Sequence, residues 1–145
     1  MKFTSHSVAE TKQIAFNFMK RLKGSSHVLL GLTGDLGSGK TTFVQGMAKG
    51  AGMDPAYYVN SPTFTLINEY LGKDIKIIHV DLYRINKPVE GDTLGLEEYL
   101  HPGNVVVVEW PERMPELIKE MNFQIRFEII SDKDRIIHIL GDNDV

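Results

Sequence analysis

"GLTGDLGSGKTTFVQGMAKG", residues 31–50, decides how this chain is read. Glycines at 34, 37 and 39 crowd in front of Lys40, Thr41 and Thr42. A strand-like run, "HVLLGL" (27–32), precedes them and a helix-like run, "KTTFVQGMAKGAG" (40–52), follows. Residues 34–41, "GDLGSGKT", match G-x-x-x-x-G-K-[ST] at every fixed position. Backbone N–H groups turned inward make a concave anion site. The start of the helix adds free donors and the positive end of its dipole. Glycine lets the main chain come close to a phosphate with no Cβ in the way. Asp35, Leu36, Gly37, Ser38 and Gly39 are therefore expected to cradle a nucleotide's phosphates. Lys40 should reach the β and γ oxygens, and Thr41 should place its hydroxyl on Mg²⁺. Thr42 either touches the α-phosphate or packs in the first helical turn.

Such a loop works with a carboxylate at the end of a neighbouring strand. Asp81 ends "IKIIHVD" and Glu109 ends "VVVVE". The reading adopted here assigns Glu109 to the metal and Asp81 to positioning metal or attacking water. Lys40, Asp81 and Glu109 are then the residues expected to carry catalysis, and Thr41 and Glu109 those expected to hold Mg²⁺. "NSPTFT" (60–65) stands where nucleotide switches offer a threonine, Thr63 or Thr65, to the metal or γ-phosphate. Trp110, the single tryptophan, is either core or a wall of the nucleotide or partner surface. It should point away from Glu109 unless the chain bends at Pro111. His79, two residues before Asp81, could share its face, and a structural role is the expectation for it.

Around this centre the chain reads as one α/β domain, residues 1–145, with a mixed parallel and antiparallel sheet covered by helices in three layers, P-loop NTPase-like. A first helix starts at Ser7, with Glu10 completing a capping box. Ile14, Phe18 and Leu22 form its apolar face, and Gly24 ends it. "TFTLINEY" (63–70) and "IKIIHVDLY" (75–83) predict a hairpin across "LGKD". "VVVVEW" (105–110) has no polar face, as in a strand buried on both sides. "TLGLEEYL" (93–100) and "MPELIKEMN" (114–122) predict short helices. "FQIRFEII", the turn "SDKD" and "RIIHIL" predict a terminal hairpin.

Composition bounds the partners. Sixteen Lys+Arg stand against nineteen Asp+Glu, a net charge of −3, without the basic excess of a stand-alone nucleic-acid binder. There is no cysteine, which removes disulfides and thiolate metal sites. The N-terminus lacks a signal-peptide core, and no apolar run approaches the roughly 20 residues of a membrane span. A cytoplasmic protein with no membrane association is expected. For the base, a guanine reader would need N-K-x-D, whereas "NKPV" (86–89) ends in valine. "LYR" after Asp81 also lacks a switch glycine. Both departures favour ATP.

"GDLGSGKTT", "SPTFTLINEY", "HVDLYRI", "GLEEYL" and "VVEWPER" follow one another in this order. Together they resemble the TsaE family, also called YjeE, of small bacterial P-loop ATPases, over nearly the whole chain. The resemblance implies ATP and Mg²⁺ as cofactors and a part in threonylcarbamoyladenosine modification of tRNA. It implies action on a complex of TsaD-like and TsaB-like proteins, with tRNA met only indirectly and the carbamoyl group transferred by others. It also implies Lys40 and Thr41 on phosphate and metal, Glu109 in the metal site, Asp81 as an acid required for hydrolysis and Trp110 beside the nucleotide. Thr11 and the N-terminal segment would border the adenine, and Arg135 is a further suggestion. Two other classes stay open: a small-molecule kinase, since Arg84 of "DLYR" could face an acceptor, and a nucleotide-dependent interaction module. Intrinsic turnover should be slow, Arg84 being the one internal candidate to face the γ-phosphate.

Overall fold

The computed structural model describes residues 1–22, 27–54, 67–83 and 95–141. In chain order these are β1 (Lys2–Ser5), α1 (Val8–Leu22), β2 (Val28–Thr33), α2 (Lys40–Gly50), β3 (Ile67–Leu71), β4 (Lys76–Asp81), β5 (Asn104–Glu109), α3 (Pro115–Ile118), β6 (Phe123–Ile129) and β7 (Arg135–Gly141). Single 3-10 turns cover Leu96–Tyr99 and Pro111–Arg113. The strands form one sheet in the order β1-β7-β6-β2-β5-β4-β3. Its centre, β6-β2-β5-β4, is parallel, and its outer pairs are antiparallel.

β2 sits in the middle because its side chains are apolar on both faces. Leu30 and Leu32 join one core with α1 and α2, while Leu29 joins the other. β5 alternates the same way, with Val105 and Val107 on the helix side and Val106 and Val108 beneath. Burial on both faces is the mark of a central parallel strand. Above the sheet, Phe18 of α1 meets Phe123 edge-on at 5.3 Å, and Phe43 of α2 meets Phe127 at 5.4 Å. Below it, Leu96, Met114 and Leu117 close the third layer. The mixed three-layer α/β sheet expected from the sequence is thus the one observed.

Several elements differ in detail. Ser7 Oγ accepts the Glu10 N–H at 3.0 Å as expected, but the Glu10 carboxylate reaches back to the N–H of His6, at 2.7 Å, rather than of Ser7. The segment 93–100 is a 3-10 turn where it is described, and 114–122 holds only one α-helical turn. β1 was not anticipated. Four residues at a sheet edge carry too little alternation to read, and their pairing with Arg135–His138 is remote in sequence. Gly24, "NSPTFT", Arg84 and "NKPV" lie outside the described residues.

α2 is held close to α1 by a missing side chain. A Cβ on Gly46 would run into the Lys12 carbonyl oxygen and stand 2.7 Å from the Ala15 Cβ. Gly→Ala in an open helix stabilises by about 1 kcal/mol. Here the sign reverses: Gly46→Ala is expected to cost about 1–3 kcal/mol through overpacking. A lowered urea midpoint at unchanged slope would show it, and a raised midpoint would contradict it.

Candidate functional site

β2 ends at Thr33, and the chain turns through the glycine loop into α2. Ser38 N–H bonds to the Asp35 carbonyl at 3.0 Å, tightening the loop. Gly39 caps the helix at φ 107°, ψ 14°, a left-handed conformation that other residues adopt only at a cost. A Cβ on Gly37 would meet nothing within 4 Å, so the main chain lies bare to the space above it. Ser38 Oγ is buried without a hydrogen-bond partner.

Lys40 is buried in the first turn of α2. Its ammonium donates to the Gly34 carbonyl at 2.6 Å and lies 4.2 Å from the centre of the Trp110 ring. Burial pushes its pKa below the usual lysine value, while the carboxylates of Glu109, Asp81, Glu112 and Asp35 act the other way.

The two acids come from neighbouring parallel strands in register, Asp81 opposite Glu109, and both are buried. They share the sheet face that carries α2, because Ile77, His79 and Asp81 alternate with Ile78 and Val80. Asp81 Oδ1 accepts the Tyr83 N–H at 2.9 Å. Glu109 Oε2 lies 2.6 Å from His79 Nε2. Trp110 adopts φ 60°, ψ 50°, a region that costs a bulky residue about 1–3 kcal/mol. This bend, just before Pro111, sets the indole at the mouth of the cleft beside Lys40 while it also packs on the lower core, with the Tyr83 ring tilted against it at 5.1 Å.

Leu36, Gly37, Gly39, Lys40, Thr41, Thr42, Asp81, Glu109 and Trp110 thus line a single cleft of about 490 Å³. The Thr41 hydroxyl and the two carboxylates are hard oxygen donors of the kind Mg²⁺ takes in small number. Among the described residues, no three His, Asp or Glu side chains form a ready-made metal cage.

Thr11 lines a second recess, of about 350 Å³, on the other side of the helix start, with Ser7, Asp132, Lys133 and Arg135. Its hydroxyl is tied to Ser5 Oγ at 2.7 Å. Arg135 donates to the Gly37 carbonyl at 3.2 Å and to the Ser131 carbonyl at 2.6 Å, tying the terminal hairpin to the loop. Asp35 and Ser38 line neither space; Asp35 is exposed, Ser38 is buried, and their main-chain bond tightens the loop. The bond between His79 and Glu109 leaves no mark in the sequence beyond the spacing of two between His79 and Asp81. Tyr83 and the walls from Asp132 and Lys133 had no local signal at all.

A buried parallel strand running through a glycine loop into a helix, with acids ending adjacent strands, defines a P-loop NTPase-like α/β protein. The family model described as threonylcarbamoyl adenosine biosynthesis protein TsaE matches residues 5–137, and the chain belongs to that family. It is 39% identical to the tRNA threonylcarbamoyladenosine biosynthesis protein TsaE of Bacillus subtilis over 94% of this chain and 83% of that one. It is 36% identical to the Rickettsia typhi protein of the same name, over 97% and 94% of the two chains. The crystal structure of Bacillus subtilis YdiB superposes with a TM-score of 0.73 at 34% identity, covering 99% of this chain and 86% of that one.

An exposed ion pair joins the segment before α1 to the turn between β6 and β7. His6 Nδ1 and Asp134 Oδ1 are 2.9 Å apart. The hydrogen bond to Asp134 raises the His6 pKa, and the same bond lowers that of Asp134. A raised histidine contributes stability below its ordinary pKa and loses it as pH rises through the folded value. The lowered carboxylate loses its contribution as pH falls through its own folded value. Asp134→Asn should therefore lower the His6 pKa, read by NMR titration of the ring. An unchanged pKa in that variant would show the pair is not formed in solution.

Proposed function

We propose that this protein is a Mg²⁺-dependent ATPase that serves threonylcarbamoyladenosine modification of tRNA by acting on a complex of TsaB-like and TsaD-like proteins, without transferring the group itself. The observation that carries the hydrolytic part is the meeting of Lys40, Thr41, Asp81 and Glu109 in one cleft at the start of α2. Membership of the TsaE family supports the place in tRNA modification.

In this reading the N–H groups of the loop and of the first turn of α2 grip the phosphates. Lys40 exchanges the Gly34 carbonyl for the β and γ oxygens, a short swing for a flexible side chain. Thr41 and Glu109 hold Mg²⁺, which when bound neutralises charge on the transferring phosphoryl group. Asp81, one strand over, orients the attacking water. Trp110 keeps Lys40 in place by its ring face and screens the cleft. Thr11 and the recess wall by Arg135 take the adenosine side. The net charge of −3 suits a protein partner better than direct contact with tRNA. The cytoplasm is the proposed compartment; no helix among the described residues is long and apolar enough to cross a membrane.

Lys40→Ala removes a charge-assisted contact worth about 1.5–3 kcal/mol, so ATP affinity should fall about tenfold to a hundredfold. Glu109→Ala should still bind ATP but fail to hydrolyse it. With TsaB-like and TsaD-like proteins, tRNA and ATP, it should not sustain repeated rounds of modification. Calorimetry and a multiple-turnover assay read these outcomes. Sustained modification by Glu109→Ala, or a phosphorylated small-molecule acceptor produced by the wild type, would overturn the proposal.

A further inference from the structure

His79 is fully buried between β3 and β5, with the ring of Tyr70 packed at 6.1 Å. It sits on β4 two residues, and so two register positions, before the Asp81–Glu109 pair. As a metal ligand Glu109 is a carboxylate, which only accepts hydrogen bonds, so in that form the 2.6 Å contact is donated by His79 Nε2–H to Glu109 Oε2. The other ring nitrogen, Nδ1, is buried with no hydrogen-bond partner. Leaving a buried polar atom unsatisfied costs about 1–3 kcal/mol. A histidine placed only to fill the core would have both nitrogens satisfied or be replaced at lower cost by an apolar side chain. What the ring supplies is its one short bond.

We infer that His79 is a positioning residue that holds Glu109 by one oxygen, so that the carboxylate offers the cleft a single oxygen ligand and favours Mg²⁺ over Ca²⁺; the inference rests on the proposed Mg·ATP site. Mg²⁺ demands near-octahedral geometry and takes few carboxylate oxygens, whereas Ca²⁺ accepts a carboxylate by both oxygens at once. With Oε2 engaged by the imidazole, Oε1 is the oxygen left wholly free for the cleft, whereas two-oxygen coordination would have to share Oε2 between the metal and the imidazole N–H. Partners that orient a metal-binding carboxylate are typically worth about tenfold to a hundredfold in metal affinity. The same bond keeps Glu109 from turning toward Lys40, which stays available to the phosphates.

The test uses the full chain and the fluorescence of Trp110, which lines the cleft. ADP is titrated with EDTA, with Mg²⁺ and with Ca²⁺, for the wild type, His79→Leu and His79→Gln. Glutamine can place an amide donor close to where Nε2 stands. His79→Leu should lose about tenfold to a hundredfold of the Mg²⁺-dependent gain in ADP affinity, while keeping the metal-free affinity and the Ca²⁺-dependent gain. His79→Gln should recover most of the loss. Equal falls in all three titrations, or a glutamine variant as poor as the leucine one, would reduce His79 to a packing residue and overturn the inference. Should the leucine variant fail to fold, ¹⁵N NMR of the wild-type imidazole decides. Mg·ADP should shift the Nε2 signal and ADP with EDTA should not; identical spectra would overturn the inference. A wild type that binds ADP with no metal dependence would remove the underlying site as well, a result distinct from a variant matching a metal-dependent wild type.

Discussion

Two carboxylates side by side at the end of a parallel sheet are the constraint to which the rest of this molecule answers. Asp81 and Glu109 are register partners, both buried, and like charges so placed repel. The surrounding groups offset that cost. Lys40 contributes a cation from α2, His79 gives a proton donor from below, and the Tyr83 main chain bonds to Asp81. Each of these depends on a different part of the fold. Lys40 arrives only because the glycine loop turns β2 directly into α2. His79 arrives only because β4 lies parallel to β5. The site is therefore a property of the sheet order, not of one motif.

That dependence explains what could be read from the residues alone. The loop was legible because its spacing carries a mechanism: bare backbone, then a cation, then a hydroxyl at a helix start. β5 was legible because "VVVVE" has no polar face, and the terminal hairpin because "SDKD" separates two alternating runs. Asp81 and Glu109 stood out as acids ending such strands. Their register, which makes them partners, is a fact of strand pairing and leaves no mark on either segment.

What escaped is non-local or conformational. β1 is four residues long and is specified by its partner β7 rather than by its own pattern. The contact of Arg135 with Gly37 spans 98 positions. The alternatives for Trp110 turned on whether the chain bends, and a left-handed φ at a tryptophan has no propensity signal. His79 read as a structural histidine because a single imidazole beside an acid is common in cores; only the short bond to Glu109 and the bare Nδ1 distinguish it.

The pairing of β1 with β7 also sets a timetable. During synthesis residues 2–5 are made well before residues 135–138, against which they hydrogen-bond. The loop, its helix and both acids can assemble earlier, while the recess beside Thr11 waits for Ser5 to be fixed and for Arg135 to arrive. On a nascent chain every residue of the phosphate end is thus made before Arg135 of the opposite end. Once made, β7 has an open flank until residues 2–5 pair with it.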